Sequence, residues 1–409
     1  SLCNMTVKVW IERCMRYTKR FSKDVDMTNV FFLMRYYTED AKDNLALKHS
    51  YQIQAAKNIG LDVWFIECRN DGLYLKNEDR EWKLKNMKIK KDGGLLQAIL
   101  LYHLLNKAGN QAKKIAGSFD NVYIRKTFYI PSYFRFLKNV KKDKSKIVVE
   151  IPTYPDRSEE RKETRIIRKI IFELNGLMAQ KAASYVDLFA VIGEDVFNYL
   201  GKKAINIENG INVERLPLRK KEGEGNAVHC LALASMSKWQ GYDRFIEGMR
   251  DYYERGGIED IYFHMVGDDG DGSLVQWKKM VIEYGLEKRV LFHGAQYGED
   301  LSKLFNQCDI GIGSLAGYRK NLYKASILKI REYTSRGLPF VYAIDDTALK
   351  GNENFCMKIK NDASPVEIEE VLCFANKVKG NTNMAQEMRI YAEKNMTWEK
   401  QFQKIIYNL

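Results

Sequence analysis

The alternation of short apolar strands with helical patterns, sustained through both halves of the chain, limits the folds open to it more than any other feature. Parallel strands need a crossover long enough to hold a helix, so this rhythm implies parallel sheets with helices on both faces. In the first half Asn29 to Met34, Leu61 to Ile66, Val122 to Ile124, Ile147 to Ile151 and Asp187 to Ile192 read as strands, with a helix at Asn44 to Asn58. Leu73 to Ile89 alternates around Glu78, Asp79 and Arg80 and reads as a hairpin over the cleft. At 409 residues the chain exceeds what one core usually organises. The expected fold class is α/β with two Rossmann-like, doubly wound domains. The boundaries are an N-terminal helical segment 1–26, a first domain 27–214, a linker 215–226 of composition RLPLRKKEGEGN, a second domain 227–383 and closing helices in 384–409.

Composition narrows the function classes. Sixty-six Lys and Arg against 53 Asp and Glu give a net charge of +13, which calls for an anionic partner or a solubility role. Nucleic acid is not the expected partner, because the basic residues are interleaved with acids and no zinc-finger or RNA-recognition signature is present. Seven cysteines without CxxC spacing indicate a reducing compartment and no disulfide framework. The best apolar run, Leu95 to Leu105, is too short to span a bilayer, is broken by Gln97 and His103, and reads as a core helix. No signal-peptide pattern opens the chain, and Ser1 in place of Met suggests a trimmed or engineered start. Gly267 to Gly272 has the wrong spacing for a nicotinamide site, and Walker A, nucleophile-elbow and His-Glu-x-x-His patterns are missing. The histidines are isolated in sequence, and no metal-ligand cluster is visible.

The stretch Gly313 to Pro339 carries the clearest chemistry. Cys308 to Gly313 reads as a buried strand; Arg319, Lys320 and Lys324 follow in a loop; Ser326 is the expected N-cap of a helix from Ile327 to Arg336, stopped by Gly337 and Pro339. Free N–H groups and the positive dipole end of such a helix bind phosphate, and Lys329 adds a formal charge. Glu332 lies on the same face three residues on, where a carboxylate is better suited to a ribose diol than to phosphate. The pair suggests a nucleotide diphosphate. The plain alternative is an ordinary strand–loop–helix crossover with solvated basic residues.

Lys324 to Pro339 resembles, without a gap, the Glu–seven residues–Glu segment and Gly-x-Pro of the retaining, group 1 (family four-like) glycosyltransferases of GT-B fold. Glu332 takes the place of the second Glu, which in that family holds the ribose; Lys324 stands at the first Glu, which contacts the donor sugar. Residues 230–250 resemble the family's strand, Arg-x-x-x-x-Lys-Gly loop and helix, with Ser235 at the Arg position, Gln240 at the Lys position, Lys238 two residues earlier and Gly241 kept. Gly267-Asp268-Asp269-Gly270, Arg289 to Gly294 and Asn209-Gly210-Ile211-Asn212 are similar to further family signatures. The resemblance implies an interdomain cleft, a terminal helix that crosses back to the first domain, and transfer from a nucleotide-diphosphate sugar with retention of configuration. No cofactor and no metal are expected. The catalytic group it implies is Lys238, Arg319, Lys329 and Glu332. The donor-binding group is Ser237, Gly241, Gly267, Asp268, His293, Gly294, Lys324, Ser326, Ile327 and Leu328. An exposed Lys238 without a ligand is the alternative at that position, and His293 faces either the ligand or its own domain.

On the first-domain side, Arg125, Glu150, Thr153 and Tyr154 sit at strand ends, where ligands of parallel sheets bind, and are candidate acceptor or sugar contacts. Alternatively Glu150 pairs with Arg125, and Pro152 and Pro155 only shape a turn. Residues 7–21 place Val7, Trp10, Ile11, Cys14, Thr18 and Phe21 on one helical face with basic residues elsewhere, which suits either an anionic membrane surface or packing on the chain's own domain. Lysines 83, 85, 88, 90, 91, 138, 141, 142, 144 and 146 add to the same positive surface. By analogy the expected acceptor is a saccharide or lipid-linked saccharide, and the expected location is cytoplasmic, on the inner membrane face. The alternatives are an inverting GT-B enzyme with a first-domain carboxylate as base, and a non-catalytic nucleotide-sugar or polysaccharide-binding protein.

Overall fold

The computed structural model describes residues 29–37, 44–88, 94–152, 154, 166–193, 195–221 and 225–409. The helix read at 7–21, Lys90, Lys91 and Thr153 lie outside these. The described residues within 1–39, 56–149 and 166–188 form one compact unit, and those within 40–55, 150–165 and 189–409 form a second.

The chain opens with β1 (Asn29–Tyr37), α1 (Asn44–Asn58), β2 (Asp62–Arg69), β3 (Gly72–Asn77), β4 (Arg80–Asn86) and α2 (Gly94–Ala116). It continues with β5 (Asn121–Arg125), α3 (Pro131–Lys141), β6 (Lys146–Ile151) and α4 (Ile166–Ala183). In the first unit the strand order is β4-β3-β2-β1-β5-β6, with β1 parallel to both β2 and β5. Phe31, Phe32, Val122, Ile124 and Ile147 are buried, the near-continuous apolar content of strands covered on both faces. The hairpin read around Glu78 exists, but β3 pairs antiparallel with β2 as well as with β4. It therefore lengthens the sheet at its edge instead of standing over a cleft, because Leu73 and Leu75 are apolar enough to be buried within the sheet.

Helices α2, α3 and α4 are linked side by side. Asn106 Nδ2 donates to Ser132 Oγ at 3.2 Å, Lys113 Nζ to the Asn139 carbonyl at 2.7 Å, and Lys181 Nζ lies 5.5 Å from the centre of the Phe134 ring. α2 is only half a core helix: Leu101 and Leu105 are buried, whereas Leu96 and Leu100 are exposed. Among the described side chains of α4, Ala179, Ala182 and Ala183 are buried, Ile171 and Phe172 are half-buried, and Ile166, Ile170, Leu174 and Leu177 are 54–76 % exposed. Covering each of these four would stabilise by about 1.5–3 kcal/mol.

The second unit continues with β7 (Leu188–Ile192), β8 (Asn198–Tyr199) and β9 (Lys202–Ile207), ordered β7-β9-β8. Next come β10 (Val228–Leu233), α5 (Tyr242–Glu254), β11 (Ile261–Val266), α6 (Ser273–Glu283), β12 (Val290–Gly294), α7 (Gly298–Gln307) and β13 (Ile310–Ile312). β14 (Lys324–Ala325), α8 (Leu328–Arg336), β15 (Phe340–Tyr342), β16 (Asp345–Asp346), β17 (Cys356–Lys358), α9 (Ile368–Lys379), α10 (Met384–Asn395) and α11 (Trp398–Asn408) complete the chain. A six-stranded parallel sheet runs β12-β11-β10-β13-β15-β17. Chain order reverses between β10 and β13, which makes the carboxyl ends of these two strands the topological switch point.

The closing segment returns to residues about 200 earlier in the chain, within the same compact unit. Lys203 Nζ donates to the Asn408 carbonyl at 2.6 Å, the Glu208 N–H to Gln401 Oε1 at 3.0 Å, and the Ile211 N–H to the Met396 carbonyl at 2.8 Å. The approach is so close that a Cβ on Gly210 would lie 2.4 Å from the Trp398 backbone nitrogen. Gly210→Ala should therefore force a backbone shift and destabilise the chain by about 1–3 kcal/mol, read as a lower urea midpoint.

Candidate functional site

Two loops leave the switch point, one after β10 and one after β13, and they are bonded to each other. The Leu315 N–H donates to the Gln240 carbonyl at 2.8 Å, Ser314 Oγ to Gln240 Oε1 at 2.8 Å, and Arg319 Nη1 to the Lys238 carbonyl at 2.7 Å. Gly241, the residue kept from the sequence pattern, has φ +71°, and a Cβ there would sit 2.7 Å from Ala316. Only glycine gives the first loop its turn and lets the second pass so close.

Helix α8 follows the second loop, and its start is capped in an unexpected way. Ser326 is not the cap: its Oγ accepts the Asn209 N–H at 2.8 Å, and its carbonyl accepts Asn209 Nδ2 at 2.8 Å. The Ile327 N–H instead donates to Asp346 Oδ2 at 2.9 Å. A carboxylate at this position also meets the positive end of the helix dipole. Asp346 is fully covered, and its countercharge comes from Arg331, also fully covered, whose Nη1 donates to Asp346 Oδ2. The same guanidinium donates to the carbonyls of Asn209 at 3.0 Å and Ile327 at 3.1 Å, to Thr347 Oγ1 at 3.3 Å and to Glu208 Oε2 at 3.4 Å. Burial pushes the Glu208 carboxyl above its ordinary range, against the pull of Arg331.

Lys329, in the first turn of α8, turns inward. Its Nζ donates to Gln240 Oε1 at 2.6 Å and to the Tyr242 hydroxyl at 2.8 Å. Both partners are neutral. Burial without a countercharge pulls the ammonium from 10.5 down to about 7. Gln240 stands where a lysine was looked for in the sequence, and a cation is present after all, delivered from the helix. Glu332 lies one turn further on, three-quarters covered, and its Oε1 accepts Arg336 Nε at 2.9 Å. Burial first, then the Glu332 carboxylate, push the nearby Tyr51 hydroxyl upward.

The other expected residues fall into groups. The Gly267 N–H donates to the Gly294 carbonyl at 2.8 Å, and Asp268 Oδ1 accepts the Ala295 N–H at 3.2 Å. These residues thus meet His293 at the carboxyl ends of β11 and β12. His293 joins a row: its Nε2 is 3.0 Å from His264 Nδ1, and His264 Nε2 is 2.9 Å from His229 Nδ1. Burial, then the two flanking imidazoles, hold His264 down at about 4, so this central ring is neutral at neutral pH. Ser237 precedes the turn Lys238–Gln240, and Lys238 is exposed. Arg319 is taken by Asp243 through bonds of 2.8 and 2.6 Å, which matches its charge within the loops. Lys324, on β14, pairs with Asp195 at 3.3 Å, and Leu328 opens α8 partly exposed.

Of the first-half candidates, Glu150 is fully buried and holds Lys48 Nζ at 3.1 Å and Gln52 Nε2 at 2.6 Å, which ties α1 to the end of β6. Sequence suggested an acceptor contact or a pair with Arg125 for this residue, and the structure shows these two bonds to α1. Arg125 ends β5 in the first unit, and Tyr154 packs against Tyr199 with ring centres 6.4 Å apart. Arg331 and Asp346 were missed in the sequence. The sequence carries little signal for it, since Arg331 stands in a helix that also contains Lys329, Glu332 and Arg336, and nothing local marks it as the one whose charge is buried against an anion.

No family model matches the chain, and no curated protein matches it by sequence. Solved structures do. Sucrose-phosphate synthase from Thermosynechococcus elongatus is similar over 92 % of this chain and 97 % of its own, with a TM-score of 0.63 at 10 % identity. The catalytic domain of starch synthase IV from Arabidopsis thaliana, bound to ADP and acarbose, is similar over 93 % and 98 %, with a TM-score of 0.59 at 12 % identity. HepE from Anabaena, in complex with UDP, is similar over 94 % and 100 %, with a TM-score of 0.55 at 13 % identity. The chain has the GT-B fold. Among the described residues no helix is long and apolar enough to cross a membrane.

The buried ion pair gives a direct test of how α8 is held. Asp346→Ala leaves Arg331 buried without its countercharge and uncaps the helix, so unfolding in urea should show a loss of about 3–5 kcal/mol. A loss below ~1 kcal/mol, the scale of an ordinary cap, would mean that Arg331 finds its countercharge elsewhere.

Proposed function

We propose that the chain is a glycosyltransferase that moves a sugar from a nucleotide-diphosphate donor to a saccharide or lipid-linked saccharide acceptor, with retention, in cell-surface polysaccharide synthesis. The observation that carries this reading is the position of Lys329. A buried ammonium with only neutral partners stands at the start of α8, against the loop of the switch point, with Glu332 one turn away on the same helix. Such a group is short of an anion, and a diphosphate supplies one. The solved complexes of HepE with UDP and of starch synthase IV with ADP support a nucleoside diphosphate as the ligand class.

In this reading the acceptor hydroxyl attacks the anomeric carbon on the face that the diphosphate leaves. The carbon–oxygen bond to diphosphate breaks as the new glycosidic bond forms, and a diphosphate oxygen takes the hydroxyl proton. Lys329 and the first N–H groups of α8 compensate the charge on the leaving group. Glu332 accepts from the ribose hydroxyls. Arg319, matched by Asp243, shapes the loop that Lys238 shares. The reading calls for no cofactor and no metal. The reaction is tested by incubating the purified chain with a panel of UDP, ADP and GDP sugars and measuring released nucleoside diphosphate. Binding without release across the panel would favour a nucleotide-sugar-binding protein without transfer.

Two measurements address the roles of single residues. Since a hydrogen bond to a charged group contributes about 1.5–3 kcal/mol, Glu332→Ala should weaken nucleoside diphosphate binding roughly ten- to hundredfold. Unchanged affinity in calorimetry would remove Glu332 from the site. An anion beside Lys329 raises its pKa in the complex, so binding above pH about 7 should take up a proton. Affinity should accordingly be level below that pH and fall as pH rises past it. Calorimetry in buffers of different ionisation enthalpy detects the proton, and Lys329→Met should abolish both effects.

A further inference from the structure

We infer that the donor is the nucleotide of a uronic acid, a sugar whose carboxylate pairs with Lys324. This rests on the donor reading above and names the sugar class within it. A nucleotide sugar is linear, with the diphosphate between ribose and sugar. Along α8 the ribose falls to Glu332 and the diphosphate to Lys329, about 4.5 Å apart along the axis at about 1.5 Å per residue. The sugar then lies on the far side of Lys329, beyond the start of the helix, where β14 leads in. A second strand reaches the same point. Lys324 Nζ lies 3.3 Å from Asp195 Oδ2, and Asp195 stands in the loop that leaves the carboxyl end of β7, a strand parallel to β9. Carboxyl ends of parallel strands are where ligands of such sheets bind.

Charge decides which sugar suits this end. The two carboxylates of β16, which pairs with β14, already have cations: Asp345 is bonded to Lys358 at 2.5 Å and Asp346 to the buried Arg331. Lys324 is bonded to Asp195 instead, and loosely. Their side chains are 46 % and 63 % exposed, and an ion pair so far in water contributes little. Asp195 also accepts Asn206 Nδ2 at 2.9 Å, so it is not stranded when the lysine leaves. An arriving carboxylate can therefore take the ammonium from Asp195 and return a full charge for it. A neutral sugar brings hydroxyls only, for which the ammonium would give up an anion without gaining one.

Calorimetry on the full chain tests this with matched donors: UDP-glucuronate against UDP-glucose, UDP-galacturonate against UDP-galactose, and GDP-mannuronate against GDP-mannose, each alongside the bare nucleoside diphosphate. The members of a pair differ only in carrying a carboxylate or a hydroxymethyl group. For the base that binds, the uronate should be favoured about tenfold or more, the scale of a hydrogen bond between charged groups. Lys324→Gln should bring that ratio to about one, and Lys324→Glu should invert it. Asp195→Asn removes the competing charge and should raise the ratio, so variants of the two partners move it in opposite directions. If the pair only fastened β14 to the loop after β7, both variants would weaken the uronate and the neutral sugar alike, and that result overturns the proposal. So does a neutral sugar that binds as tightly as its uronate while the nucleoside diphosphate binds. Absence of binding by every nucleoside diphosphate overturns the donor reading itself, and this proposal with it.

Discussion

The second unit depends on one buried ion pair. Arg331 and Asp346 are both fully covered, and each would be costly alone. Together they tie α8 to the β16 turn and, through the Asn209 carbonyl, to the segment that the closing helix crosses. Asp346 also takes the Ile327 N–H, so the pair decides where α8 begins. The start of that helix sets the positions of Lys329 and Glu332, and a one-residue slip would turn both by about 100° around the axis. Stability and site geometry therefore share a single constraint.

Lys329 shows what such rigidity permits. An ammonium with two neutral partners is not stabilised by its surroundings, and burial has pulled it down to about 7. The folded chain carries this group at a cost, because its charged form is disfavoured relative to the unfolded chain. By linkage, Lys329 contributes stability that is fully present above lysine's ordinary value and is lost as pH falls towards 7. A site that stays short of an anion until ligand arrives is a known way for binding energy to be concentrated where charge develops. By contrast Arg319 is already matched by Asp243, and it also donates to the Lys238 carbonyl of the first loop.

The first unit poses the opposite case, with apolar groups left in water. Helix α4 leaves Ile166, Ile170, Leu174 and Leu177 exposed, while its alanines 179, 182 and 183 are buried and Ile171 and Phe172 are half-buried. Placed beside a strongly basic layer, it gives that unit a chemical character distinct from that of the second.

Much of the architecture was legible in the sequence. Strand and helix alternation set the α/β class, and the residues of α1, β11 and the closing helices follow from local periodicity, because an element's own pattern of apolar residues records which face it buries whatever it packs against. Gly210 and Gly241 stood out in the sequence as parts of family-like signatures, and the structure gives the reason for both, a close approach of backbone that leaves no room for a Cβ. The sequence could place Lys329 and Glu332 on one helix, as their spacing is local. It could not show that Lys329 turns to Gln240, 89 residues earlier, or that Asp346 and not Ser326 caps the helix. It also could not show that Glu150 accepts from Lys48 and Gln52, about 100 residues before it. A side chain's partner at such separation is decided when the strands are ordered into a sheet, and no periodicity along the chain records which charges the packing will bring together.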